Sequence, residues 1–140
     1  MKSFLSKVGV ILIGLAILGY AEAWGEDWKL YYSNKTTGQF YYDAGNIIDL
    51  SPDVKRVWVK NDVSVETIHA AIQDMGEGYR DLSYLLILFE INCKDKRIGD
   101  LKTDFYSKQG AIISSLRSSG DRHSILPDTG YEPLYKEVCK

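Results

Sequence analysis

The amino-acid sequence predicts an α+β fold: a sheet of about six antiparallel strands, a C-terminal helix packed on it and tied by a disulfide, and a short inserted helix. Three observations carry this expectation. Apolar and polar residues alternate with period two through much of residues 28–116. The period changes to helical spacing over 64–76 and again over 131–139. Two cysteines, Cys93 and Cys139, each close an apolar face.

The composition narrows the function classes. The chain has 140 residues, 17 Lys+Arg against 19 Asp+Glu, and a formal net charge of -2. A balance so near zero excludes a nucleic-acid binder working by bulk positive potential, and no nucleic-acid partner is expected. It equally excludes an acidic disordered tail. Hydrophobic residues at 45% supply a core, and 3 Pro with no repeat argue against a linker or array.

Residues 1–23 read as a secretory signal peptide. Lys2 and Lys7 form the positive n-region, Val8–Leu18 (VGVILIGLAIL) the apolar run, and Ala21-Glu22-Ala23 the small-x-small cleavage pattern. The run is short of the about 20 apolar residues that span a bilayer. An uncleaved anchor or a buried core helix is the competing reading. Residues 24–140 form the mature domain, with no membrane span after cleavage. Both cysteines then sit in an oxidising compartment, where a disulfide persists.

The elements follow in order. Trp28–Tyr32 is a β-rich run, Ser33–Gly38 (SNKTTG) has turn composition, and Gln39–Asp43 resumes: a hairpin with a six-residue loop. Asp43–Pro52 is irregular. Val54–Val63 is the third strand, with Val57 and Val59 on one face and Arg56, Trp58 and Lys60 on the other. Val65, Ile68, Ile72 and Met75 then recur at helical spacing, with Ser64 placed as N-cap and Gly76 as C′ residue. Gly76-Glu77-Gly78 is expected as a flexible exit.

The fourth strand is the expected centre of the core. Leu85, Ile87, Phe89, Ile91 and Cys93 share its core face, while Leu86 and Leu88 on the other face suggest cover on both sides. A fifth strand runs over about Arg97–Ser107, with Leu101, Thr103 and Phe105 on one face. A sixth, Ala111–Leu116, is expected at an edge, followed by a polar loop over Ser118–Pro127. Tyr131, Leu134, Tyr135, Val138 and Cys139 then mark one face of a helix. Thr129 with Glu132 fits a capping box, whereas Pro133 fits a regular helix that starts at Pro133 itself.

Laying that helix on the sheet brings its apolar face, ending in Cys139, onto the face ending in Cys93. A Cys93–Cys139 disulfide is therefore expected; two unpaired buried thiols are the alternative.

The chain resembles the surface-adhesin protein E family of small secreted bacterial proteins along most of residues 28–140. The resemblance rests on the Trp28 strand, Tyr41-Tyr42-Asp43, Val57-Trp58-Val59, Tyr84, Phe89-Glu90-Ile91-Asn92-Cys93-Lys94, Tyr106, Ile125 with Pro127, and Leu134-Tyr135-Lys136-Glu137-Val138-Cys139-Lys140. It implies a six-stranded antiparallel sheet with a disulfide-tethered C-terminal helix. It also implies an extracytoplasmic protein of a Gram-negative-type bacterium, in the periplasm or on the outer surface, with adhesion as the activity for which the family is named.

The residues assemble no reaction centre. His69 and His123 fall on the inserted helix and in a polar loop, and no HExxH, CxxC or phosphate-binding glycine loop occurs. Ser114-Ser115 and Ser118-Ser119 lack nucleophile-elbow glycines. No catalytic residue, metal or cofactor is expected, and the chain is read as a non-enzyme. With 10 Tyr and 3 Trp, aromatics are the compositional excess. Tyr31, Tyr41 and Trp58, expected on strand faces away from the core, are the candidate binding surface for a protein partner, with Tyr31 and Tyr41 as a cross-strand outer pair. Two readings follow: a secreted binding or adhesin-like protein that recognises a protein or matrix surface, and a periplasmic or cell-envelope accessory protein that is part of a larger assembly.

The leader is directly checkable. Intact mass of the protein recovered from cell envelopes is expected to begin at Trp24. Recovery of the whole chain from the inner membrane would reject cleavage.

Overall fold

The computed structural model describes residues 27–140. The expected leader and its junction at Trp24 lie outside the described residues. The chain runs β1 (Trp28–Asn34), β2 (Gly38–Asp43), β3 (Ile48–Asp49), β4 (Val54–Val63), α1 (Val65–Met75), a 3-10 turn (Glu77–Tyr79), β5 (Leu82–Asn92), β6 (Arg97–Ser107), β7 (Ile112–Arg117), β8 (His123–Ser124) and α2 (Tyr131–Val138). All pairings are antiparallel, in the order β1-β2-β4-β5-β6-β7, with β3 added to β4 and β8 to β6. This is the α+β architecture that the sequence predicts.

The alternation of β4 and β5 sorts the sheet into two faces. Val57 and Val59 point one way with Ile87, Phe89 and Ile91, and this face carries the core. Leu134 and Val138 of α2 press onto it together with Tyr42, Ile98 and Ile125. A second cluster lies further along the same face, where Ala71 of α1 meets Leu82 and Phe105, flanked by Val63 and Leu85. Both helices therefore cover one face. Among the described residues, no helix covers the other. Leu86 and Leu88 on that other face remain only half-buried, so the expected double cover of β5 is not formed.

Local chemistry explains where expectation and structure part. The first hairpin is tighter than six residues: Asn34 pairs with Gly38, and only Lys35–Thr37 connect them. Asn34 Oδ1 accepts from the N–H groups of Thr36 (2.7 Å) and Thr37 (3.2 Å), an Asx-type turn that closes the loop locally. Gly38 has φ +104, and a Cβ there would lie 2.0 Å from the Asp62 carbonyl oxygen, so only glycine fits.

In β6 a register shift between Leu88 and Phe89 moves the partner from Lys102 to Asp100. Leu101 is left unopposed, so it does not share a ladder face with Thr103 and Phe105. The same bulge brings Ile98 round to face Ile91 in the core.

α1 forms between its expected caps. Ser64 Oγ accepts from the Thr67 N–H (3.1 Å); Gly76 ends the helix as its C-cap, at φ 105 and ψ 176, a conformation suited to glycine but not the left-handed C′ position expected. Val65 and Met75, at its two ends, are exposed rather than packed. The expected flexible exit is a 3-10 turn that turns Tyr79 inward, edge-on to Phe105 at 5.6 Å and hydrogen-bonded to Ser114 Oγ at 2.6 Å.

α2 starts at Tyr131 with Gly130 as N-cap, so neither expected start is realised. Thr129 Oγ1 donates to the Leu126 carbonyl instead of closing a capping box. Pro133 occupies the third helical position, whose N–H would have no intrahelical acceptor, and costs little there. A helix of 8 residues is not stable alone. Four ties hold it: the Cys93–Cys139 disulfide (Cα–Cα 5.6 Å), Tyr135 OH to the Cys93 carbonyl (3.0 Å), Tyr42 OH to Glu137 (3.0 Å) and Lys96 to Glu132 (2.8 Å).

The disulfide spans a sequence separation of 46. Closing a loop of that length in the unfolded chain stabilises by on the order of 4 kcal/mol in the chain-entropy model. Cys139→Ser is expected to lower the unfolding free energy by about 2–5 kcal/mol in urea titrations. A loss below about 1 kcal/mol would show that the bridge contributes little beyond Leu134 and Val138 packing.

Candidate functional site

The open face is built by the alternate residues of five strands. Register places Trp28 opposite Asp43, Leu30 opposite Tyr41, and Tyr41 opposite Lys60. It then places Trp58 opposite Leu88, Leu86 opposite Asp104, and Tyr84 opposite Tyr106. A groove of about 410 Å³ runs across this face, bounded by Trp28, Trp58, Leu86 and Tyr106, with Asp43, Lys102 and Asp104 at its polar points. A neighbouring hollow of about 320 Å³ lies between Trp58 and the Gly45–Ile48 segment. Trp58 is thus the wall shared by two depressions.

The rings around it are held in place. Tyr84 and Tyr106 stack with centroids 4.8 Å apart and planes within 4°, and Lys60 Nζ sits 5.0 Å from the Tyr84 centroid. Tyr41 OH donates to Gln39 Oε1 (2.8 Å) along its own strand.

The carboxylates of the face are occupied structurally. Asp43, 1% exposed, accepts from the Gly45 N–H (3.2 Å) and Asn46 Nδ2 (3.0 Å), which fixes the turn after β2. Asp104 accepts from Ser115 Oγ (2.7 Å) and lies 3.5 Å from Lys102 Nζ. Glu90 is shared by Arg56 (3.0 Å) and Arg122. His69 and His123 are exposed on separate elements, and His123 packs its ring 5.3 Å from Tyr131. Among the described residues, no group of His, Cys, Asp and Glu is arranged to hold a metal ion. What the face offers is shape, apolar rings and a few fixed polar tips, which suits recognition.

The structure brings two of the three candidate residues together and separates the third. Trp58 and Tyr41 stand on the open face. Tyr31 does not. The register shift between Leu30 and Tyr32 flips Tyr32 rather than Tyr31; with Trp28 and Leu30 on the open face, simple alternation already turns Tyr31 away from it. It turns under α2, its ring 6.2 Å from both Phe40 and Tyr42. The outer cross-strand pair is therefore Leu30–Tyr41, not Tyr31–Tyr41. Cys93 and Cys139 lie at the opposite face, as the tether of α2. Trp28, Leu86 and Tyr106 complete the groove and were not singled out from sequence. Strand parity ties Trp28 to Leu30, so placing Tyr31 outward places Trp28 inward.

The family model described as surface-adhesin protein E matches residues 28–140. No curated protein sequence matches significantly. Among solved structures, Haemophilus influenzae protein E superposes with a TM-score of 0.55 at 15% identity, covering 81% of this chain and 84% of that one. Its crystal form II gives 0.56 at 18% identity, covering 81% and 87%. Protein E from non-typeable Haemophilus influenzae gives 0.54 at 17% identity, covering 81% and 76%. At these identities the likeness is one of fold.

Displacement of Tyr31 has a measurable consequence. Burial pushes its phenol above the usual tyrosine range, with the nearby Tyr131 phenol adding to the effect. Burial, then the hydrogen bond to Glu137, raises Tyr42 in the same direction. A folded-state pKa above the unfolded value of about 10 means stability that is complete below pH 10 and lost as pH rises beyond it. Phenolate absorbance is expected to show a group of tyrosines ionising only as the fold is lost, and denaturation midpoints should fall above that pH. Reversible titration of every tyrosine near pH 10 with an unchanged midpoint would contradict the burial.

Proposed function

The chain belongs to the surface-adhesin protein E family, and from that premise we propose that it is an extracytoplasmic, non-catalytic protein that captures a protein or matrix partner on the open face of its sheet. Residues 1–23 are its export leader and 24–140 its binding domain, delivered to the periplasm or the outer surface of a Gram-negative-type cell. The observation that carries the reading is the half-exposed aromatic groove around Trp58, on the face that neither helix covers. Aromatic rings bury large area at low entropic cost, and they are enriched at the centres of interfaces. Trp28, Trp58 and Tyr106 supply the contact area; Tyr41, Lys60 and Lys102 supply the polar rim.

A second reading, an accessory part of a larger envelope assembly, is favoured by one feature. β7 ends the sheet, and its Ile112 and Leu116 are 55% and 54% exposed. Such an edge accepts an added strand. Constitutive co-purification with one envelope protein, without saturable binding to soluble matrix proteins, would select this reading over adhesion.

Alanine at Trp58 and at Tyr41, made separately, is expected to weaken binding to an immobilised basement-membrane protein preparation by about 1–2 kcal/mol each, roughly tenfold in affinity. Far-UV circular dichroism and the melting midpoint should hardly move. Full binding by both variants would reject the open face as the site.

A further inference from the structure

The helix-covered face holds a feature that the adhesin reading does not use. Between α2 and the first hairpin lies a cleft of about 310 Å³. Phe40, Ile87 and Phe89 line it from the sheet, with Tyr31, Tyr32 and Tyr131 around them. The aromatic lining is interlocked. Tyr32 and Phe40 are 5.8 Å apart, and Phe89 meets Tyr131 edge-on at 5.9 Å. Gly130, the N-cap of α2, gives Tyr32 its room: a Cβ there would lie 3.1 Å from the ring.

The polar groups of the cleft are unevenly satisfied. Tyr32 OH accepts from Asn34 Nδ2 at 3.2 Å. Among the described residues, the Tyr31 and Tyr131 hydroxyls make no hydrogen bond to protein, although burial is the first cause raising both phenols. Both tyrosines line the same cleft. Two half-buried hydroxyls without a protein acceptor, on residues that line an apolar cleft, are free to donate to a ligand there. A concave apolar site with a few convergent polar groups is the general form of a small-molecule pocket, and 310 Å³ is at the small end of the usual range of about 300–1,000 Å³. Asp100 bears on Tyr131 and disfavours an anionic ligand.

We propose that this cleft binds a small, neutral, planar molecule of one or two fused rings that carries a carbonyl-type acceptor, with the rings between Phe40, Phe89 and Tyr32 and the acceptor taken by the Tyr31 and Tyr131 hydroxyls. The site is separate from the open face and does not depend on the adhesin reading. It makes Tyr31 a ligand-binding residue on the face opposite Trp58.

Coumarin tests this directly, because naphthalene has the same two-ring shape without the carbonyl. Each is titrated into the oxidised protein, with ring-proton NMR as the readout. Coumarin is expected to shift the Phe40, Phe89 and Tyr131 ring signals and to bind about five- to tenfold more tightly than naphthalene. Tyr31→Phe and Tyr131→Phe, which keep the rings, should each remove most of that difference and leave naphthalene binding unchanged. Equal affinity for the two probes would overturn the proposal. So would coumarin shifts confined to Trp58 and Tyr106, unchanged coumarin affinity in both variants, or no shifts up to the solubility limit.

Discussion

The attachment of α2 to the end of β5 is the constraint on which the other features rest. The helix is too short to persist unaided, yet it supplies Leu134 and Val138, both essentially buried, to the main core. Without those two side chains, Val57, Val59 and Ile91 would face water. The disulfide places the last turn of the helix. Tyr135 reaches back to the carbonyl of Cys93 itself, so covalent and hydrogen-bonded ties meet at one point on the strand. Lys96 and Tyr42 fix the helix from either side through Glu132 and Glu137. The Lys96–Glu132 ion pair orients more than it stabilises, while Tyr42 donates a hydrogen bond from the core to Glu137.

This attachment also divides labour between the two faces. A sheet must bury one face to fold, and α1 and α2 together accomplish that on one side. The opposite face is then released from packing duty. Its residues follow the alternation of the same strands, but they form ridges and hollows rather than a sealed layer. The polar groups there are satisfied locally: Asp43 by its turn, Asp104 by Ser115, Glu90 by two arginines. The polar groups of the face are thus satisfied within the protein, and a surface that needs no rearrangement loses less entropy on binding.

Legibility in the sequence followed the length of the pattern. β4 and β5 are long, alternate cleanly, and were readable residue by residue. α1 was readable because Ser64 and Gly76 bracket it with cap chemistry. The two-residue ladders at Ile48–Asp49 and His123–Ser124 have no period to detect and appear only once β4 and β6 exist as templates. The bulges at Tyr31 and Leu101 were invisible for a different reason. A single inserted residue reverses parity for everything beyond it, and nothing in YY or DLK announces the insertion. Tyr31 is misplaced for another reason: β1 turns Leu30, not Tyr31, to the open face, and the short KLYY run does not show which side is the core, whereas Val57 and Val59 settle it for Trp58. Disulfide pairing was legible because both cysteines close uninterrupted apolar faces.

The bulge in β1 also bears on how the sheet meets other sheets. β1 is one terminal strand and β7 the other. Irregular pairing between Leu30 and Tyr32 twists the first, and α2 packs beside it. β7 keeps Ile112 and Leu116 exposed, while its Ile113 packs toward the Ala71 cluster. Strand addition thus has a docking edge at one end and a blunted edge at the other. Head-to-tail growth needs two compatible edges; with one, any edge-to-edge contact between copies closes on itself after a single pairing.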